Sequence, residues 1–298
     1  MNKHFHLAIT LLVSVAMLMT ACKKDDPKPD NSGNNNNQET PGGGGEGGGG
    51  EVTPNQEYPE TAVVLPQAVT DIDGNTYDAV QIGNQVWMAE NLRTTRYADG
   101  TTIPLGTSTS TTTAYRYAPG PNQSNEENME NVAHYGYLYN WPAVMHNENT
   151  SDANPSGVQG ICPDGWHVPS DAEWTELTDY MSTQPAYIAG GNPEHIAKAL
   201  ATTWGWNSSS EIDAIGNNLS TNNATGFSAP PAGTIQGVPG NFWVVFGEAT
   251  YFWTATEEET PWDPGSCAQR RSLCSPEAIV YRVKCVKYAG ISVRCVRD

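Results

Sequence analysis

The stretch Gly160-Ile161-Cys162-Pro163-Asp164-Gly165-Trp166-His167-Val168-Pro169-Ser170-Asp171-Ala172-Glu173-Trp174 decides how this chain is read. Pro169 holds its predecessor extended, so Trp166 to Pro169 forms a stiff approach carrying a large aromatic. Ser170 then opens a helix. Its hydroxyl is placed to accept from the amide of Glu173, and Glu173 to reach back to the amide of Ser170, the reciprocal pattern of a capping box. Asp171 and Glu173 suit the positive end of the helix. Trp174, Leu177 and Met181 lie three and seven residues apart and form one apolar stripe, so the helix is expected to run to about Thr183. Cys162 is a candidate covalent tie.

Downstream, Asn192 with Pro193 behind it reads as the start of a second helix carrying Ile196 and Leu200. Upstream the pattern is β. Ala68 to Ile72 leads into the turn Asp73-Gly74, Thr76 to Ile82 returns, and Gln85 to Met88 follows Gly83-Asn84 as a third strand. Asp71, Asp73 and Asn75 resemble a calcium loop, but Gly74 comes too early and no Glu closes it, so a turn is expected. Residues 106–132 read as a surface loop. Tyr135, Tyr137 and Tyr139 alternate onto one face, a pattern expected in a core. Late in the chain, Asn241 to Phe246 with Ala249 to Ala255, and Ala278 to Val286 with Ile291 to Arg297, read as hairpins.

The first 57 residues are of another kind. Lys3 and the apolar run Ala8 to Met19 form a leader too short to span a membrane comfortably. Met19-Thr20-Ala21-Cys22 resembles a lipobox, which makes residues 1–21 a signal peptide and Cys22 the acylated residue. Lys23-Lys24-Asp25-Asp26 resembles the export tag of Bacteroidota surface lipoproteins, and the expected location is the outer membrane, facing outward. Residues 22–57, rich in Asn and Gly, cannot bury enough apolar surface to fold and form a tether. Such a linker spans roughly 30–35 Å r.m.s.. The folded domain is expected over 58–298. The net charge of −18 excludes nucleic acid as a partner, because counterion release needs a basic surface.

Several phrases together resemble the Fibrobacter succinogenes major paralogous domain. They are Gln85 to Leu92, Tyr135 to Trp141, Gly160 to Trp174, Ala224 to Ser228, Phe252 to Thr256 and Ser292 to Val296. A more distant likeness joins Val168 to Trp174 to formylglycine-generating enzymes. It implies an α+β fold with C-type-lectin-like topology, a mixed and mostly antiparallel twisted sheet with two helices and long loops. The resemblance also implies a disulfide between Cys162 and Cys295. Cys267 with Cys274 is the second candidate bridge, which leaves Cys285 over.

Three functional readings follow. The first is a non-catalytic surface module that binds an extracellular glycan or protein. Trp204, Trp206, Trp243 and Trp262 are its candidate platforms, and the loops 204–223 and 256–276 are its expected seat. The second is a structural or fimbria-associated assembly protein. The third is a copper oxidase resembling the formylglycine-generating enzymes, with Cys267 and Cys274 as ligands. A reactive pair of Cys162 and His167 is set aside because Cys162 is better used as a bridge. The sugar-binding triplets of calcium-dependent lectins do not occur. Glu257, Glu258, Glu259 and Asp263 are weak calcium candidates, and no cofactor is expected beyond that.

Overall fold

A computed structural model describes residues 58–298 apart from Gln123, residues 239–240, Val244 and residues 259–264. The leader, Cys22 and the tether lie outside the described residues. The fold is α+β with mostly antiparallel sheets. No helix among the described residues is long and apolar enough to cross a membrane.

Strands β1 (Val63–Thr70), β2 (Thr76–Ile82) and β3 (Gln85–Met88) form an antiparallel meander. The expected strands at 76–82 and 85–88 are present with those bounds. The Asp71 turn is held by its own carboxylate, which accepts from the amides of Asp73 and Asn75 at 2.9 and 3.0 Å.

The sheet is buried on both faces. Tyr77, Ala79, Val86 and Met88 pack into one core cluster, while Val80, Ile82, Trp87 and Ala89 pack into another. This is why these short strands carry apolar side chains on both sides, where a half-exposed strand would alternate apolar with polar.

Short elements cross the next region. They are β4 (Arg116–Tyr117), α1 (Asn125–Asn128), a 3-10 turn at Met129–Asn131, α2 (Val132–Tyr135), β5 (Leu138–Tyr139) and α3 (Trp141–Met145). The expected aromatic strand is therefore interrupted. Tyr135 ends a helical turn, and Gly136 reverses direction at φ 72°. A Cβ on Gly136 would come within 2.6 Å of the Asn91 Cβ and 2.7 Å of the Leu92 carbonyl, so only glycine lets the two segments meet. Tyr137 and Tyr139 are in the core, as expected.

Strand β6 (Trp166–His167) leads into α4 (Asp171–Ser182), whose capping box is present on Ser170 and Glu173. Trp174, Leu177 and Met181 are fully buried. Trp174 packs 4.7 Å from Trp87 and 5.5 Å from Phe252, ring centre to ring centre. The second helix is shorter than expected: α5 covers Ala197–Leu200 only. Asn192 and Pro193 instead make a turn, in which Asn192 Oδ1 accepts from the amide of Glu194. Lys198 lies on this short helix. Its buried ammonium donates to the carbonyls of Ala214, Asn217 and Asn218 and ties the following loop to the core.

Both expected late hairpins are re-paired. Strand β7 (Gln236–Val238) takes β8 (Asn241–Trp243) as its partner. Strand β9 (Ala249–Glu258) pairs with β10 (Cys267–Cys274), which pairs with β11 (Tyr281–Val286). The last strand, β12 (Val296–Arg297), leaves β11 and inserts between β3 and β6. The disulfide sits beside this insertion: Cys162 and Cys295 are joined, with Cα atoms 5.9 Å apart, and the bond pins the chain end beside β6.

Helix α4 is held to the second sheet through Asp171. Its carboxylate meets Arg271 Nη2 at 2.8 Å and Arg282 Nε at 2.6 Å. Burial pulls the Arg271 pKa down, and the Asp171 charge opposes this.

Candidate functional site

The residues around Arg294 build the site. Arg294 is fully buried on the segment before β12. Its Nε donates to Asn91 Oδ1 at 2.7 Å, its Nη1 to the carbonyls of Met88 and Phe227, and its Nη2 to the carbonyl of Ser228 at 2.8 Å. The guanidinium lies 4.5 Å from the Phe227 ring centre, a cation–π contact. Burial pushes its pKa down to about 9, against the pull of Glu90, so it stays charged at neutral pH. Asn91 passes the connection on, donating through Nδ2 to the Tyr135 carbonyl at 2.8 Å and to Ser292 Oγ at 3.2 Å. Asn223 and Ser228 lock each other: the Ser228 amide donates to Asn223 Oδ1, and Asn223 Nδ2 donates to Ser228 Oγ, both at 2.8 Å. Both adopt left-handed backbone, at φ 69° and 55°.

Above this floor opens a cavity of about 540 Å³, lined by Asp78, Glu90, Asn91, Arg93, Trp204 and Arg294 among others. That volume falls within the range of small-molecule sites, about 300–1,000 Å³. On one wall Glu90 Oε2 pairs with Arg93 Nη1 at 2.7 Å, and Arg93 lies 4.4 Å over the Tyr77 ring. Arg93 Nη2 also donates to the Thr76 carbonyl at 2.9 Å. Asp78 accepts from the Gln67 amide at 2.8 Å and from the Tyr58 hydroxyl at 3.0 Å. Burial, reinforced by the Asp78 charge, raises the Tyr58 pKa far above its ordinary value and keeps it a donor. Gln67 sits where β1 bulges, between Leu65 and Val69, at φ 48°. The bulge turns this stretch of the strand toward the cavity.

The other wall is aromatic. Trp204 is 39% exposed, high for so large a ring, and is braced edge-on by Tyr135 at 5.5 Å and His134 at 6.5 Å. The site thus pairs an indole with carboxylates, amides and guanidiniums. Such a set can stack an apolar face and exchange hydrogen bonds with several hydroxyls at once.

Of the expected tryptophan platforms whose side chains are described, Trp204 lies at this cavity. Trp206 is buried, its Nε1 donating to Thr202 Oγ1 at 3.1 Å, and is a core residue. Trp243 lies on β8, with its side chain outside the described residues, as is all of Trp262. The loop 204–223 contributes Trp204 and Asn223. The described residues of the expected loop 256–276 are mostly the end of β9 and the whole of β10.

The second disulfide is corrected. Cys267 is free, and it stands at the opposite end of β10 from Cys274, roughly 20 Å away along the strand. The same separation removes these two sulfurs as joint copper ligands. Cys285 is free and buried on β11, as expected for the leftover cysteine, and burial raises its thiol pKa. Cys162 is oxidised in its bridge, so the pair with His167 has no thiol. His167 instead lies between two carboxylates, 2.6 Å from Glu173 Oε1 and 2.6 Å from Asp298 Oδ1.

Glu257 and Glu258 are neighbours on a strand. Glu257 is engaged by Lys287 and Glu258 by Gln269. Glu259 and Asp263 lie outside the described residues. Among the described residues no group of three or more His, Cys, Asp or Glu side chains is arranged to hold a metal.

Glu90, Asn91, Asn223, Ser228 and Arg294 were not singled out as site residues. The available signal is a charge between apolar neighbours, Val293-Arg294-Cys295, which has to find acceptors on other segments if it is buried.

An α+β domain closed by its own last strand, with a polar cavity beside that closure, defines the class. Residues 80–297 match the Fibrobacter succinogenes major domain, and the chain belongs to that family. No curated protein and no solved structure matched the chain.

Proposed function

We propose that the chain is a lipid-anchored surface protein whose domain binds an extracellular glycan in the Trp204 cavity without catalysis. The leader over 1–21, acylation at Cys22, the tether over 22–57 and an outward-facing place on the outer membrane belong to this reading. They are supported by the lipobox-like phrase, the charged tag behind it and the low-complexity linker. No cofactor enters the proposal.

The observation that carries it is the exposed Trp204 ring standing over a wall of committed but not saturated polar groups. Carboxylate oxygens accept more than one hydrogen bond, and sugar hydroxyls both donate and accept. The apolar C–H face of a pyranose matches an indole in shape and chemistry.

The test is a glycan array followed by calorimetry on the full chain and on Trp204→Ala. Binding that weakens by about tenfold or more in the variant, at an unchanged melting temperature, supports the reading. Retention of full affinity without the ring sinks it. Co-purification with surface subunits, in the absence of glycan binding, would favour the assembly role instead.

A further inference from the structure

We infer that the cavity selects neutral saccharides and discriminates against those carrying carboxylate or sulfate groups. This rests on the glycan reading above and concerns the chemistry of the same cavity.

Two guanidiniums line the cavity, and both are committed to the protein, Arg294 by four of its five donors and Arg93 by an ion pair and a backbone carbonyl. Arg294 has five N–H donors, and four of them are taken by Asn91, Met88, Phe227 and Ser228. The fork that would grip a carboxylate bidentately is therefore turned into the fold. Arg93 spends Nη1 on Glu90 and Nη2 on the Thr76 carbonyl, with the Tyr77 ring against its plane. Both ends of the Arg93 fork are thus already engaged, Nη1 by the Glu90 carboxylate and Nη2 by the Thr76 carbonyl.

The acceptors are less fully used. Asp78 receives one hydrogen bond on each oxygen, from Gln67 and Tyr58. Glu90 receives the Asp78 amide on one oxygen and Arg93 on the other. A carboxylate has about four lone-pair sites, so both retain capacity. What they can still take is a hydroxyl proton. An anionic sugar brings acceptors where acceptors already stand, so it leaves the spare lone pairs of Asp78 and Glu90 unmet. The net charge of −18 adds a longer-range barrier that weakens with salt.

A cationic ligand is disfavoured more gently. The two carboxylates are balanced by the two guanidiniums, so a site of near-zero net charge gains little by accepting an amine. A neutral polyol with one apolar face is the occupant that uses both the spare acceptors and Trp204.

The experiment compares matched probes on the full chain: neutral hexose oligosaccharides, the same oligosaccharides with one hexuronic acid, sulfated versions, and amine-bearing versions. The neutral set is expected to bind at least about tenfold more tightly than the uronate and sulfate sets at low salt. In Asp78→Asn and Glu90→Gln the neutral affinity falls and the gap to the acidic probes narrows to within about threefold. Melting temperatures confirm that each variant is folded, and either variant alone is sufficient. Equal or tighter binding of the acidic or amine-bearing probes overturns the inference while leaving a glycan site in place. If no glycan of any charge binds, the glycan reading falls and takes this inference with it.

Discussion

Arg294 Nε donates to Asn91 Oδ1 at 2.7 Å, a contact between residues 203 positions apart. It joins the segment after β3 to the segment before β12, at the floor of the cavity. Replacing Arg294 with Met leaves the Asn91 oxygen and three backbone carbonyls without their donor. The expected loss is about 3–5 kcal/mol. Arg294→Lys should recover only part of it, because an ammonium cannot reproduce the planar fork. Denaturant midpoints decide the matter, and a loss below about 1 kcal/mol for the Met variant contradicts this account.

Arg270 offers the contrast. It is buried too, and lies 4.1 Å over the Tyr251 ring, but its Nε and Nη1 have no hydrogen-bond partner among the described residues. Unpaired buried donors cost stability, so removing them relieves a penalty that offsets the lost ring contact. Arg270→Met is expected to change stability by no more than about 1 kcal/mol in either direction. A loss as large as that at Arg294 would show that these donors are satisfied in solution.

The Cys162–Cys295 bridge closes a separation of 133 residues. The chain-entropy relation assigns a loop of this length about 4–5 kcal/mol. Cys162→Ser and Cys295→Ser should each lower stability by a similar amount, and the double variant by no more than either alone. Non-reducing peptide mapping should recover the 162–295 pair. Recovery of a 267–274 bridge instead would contradict the strand geometry.

His167 makes stability depend on pH. Burial disfavours its charge, but the hydrogen bonds and charges of Glu173 and Asp298 outweigh burial and raise its pKa above the ordinary histidine value. Asp298 is exposed, so solvent screens its share. A raised folded-state pKa means that the protonated clamp stabilises fully below about pH 6.5, the unfolded value. That contribution fades as pH rises through the higher folded value. Wild type should therefore exceed His167→Gln most at pH 5–6, and the margin should shrink toward alkaline pH. A margin that grows with pH reverses the assignment.

Local patterns are legible in the sequence where a few neighbouring residues suffice. The capping box on Ser170 and Glu173, the strands over 76–82 and 85–88, and the turn at Asp71 all follow from contacts within a few positions. The readings failed where pairing is long-range. Strand Val296–Arg297 looked like half of a hairpin because its nearest β-prone neighbour in sequence is β11. In the fold it pairs with β3 and β6, where Val296 is buried and the neighbouring Cys295 is bonded to Cys162. Trp204 and Trp206 could not be told apart by sequence, since both stand in the same glycine-broken phrase. One is walled by Tyr135 and left open, and the other is buried over Thr202.

By itself the sequence determined the family, the α+β class and the helix start at Ser170. Those depend on residue type and short spacing. Only the tertiary structure decided that Arg294 is buried and which acceptors it meets, and that Asp78, Glu90, Asn91 and Trp204 share one cavity. The physical reason is that a buried guanidinium gathers carbonyls from whichever segments the closed sheet brings near. That gathering is set by the insertion of β12, which no local pattern encodes.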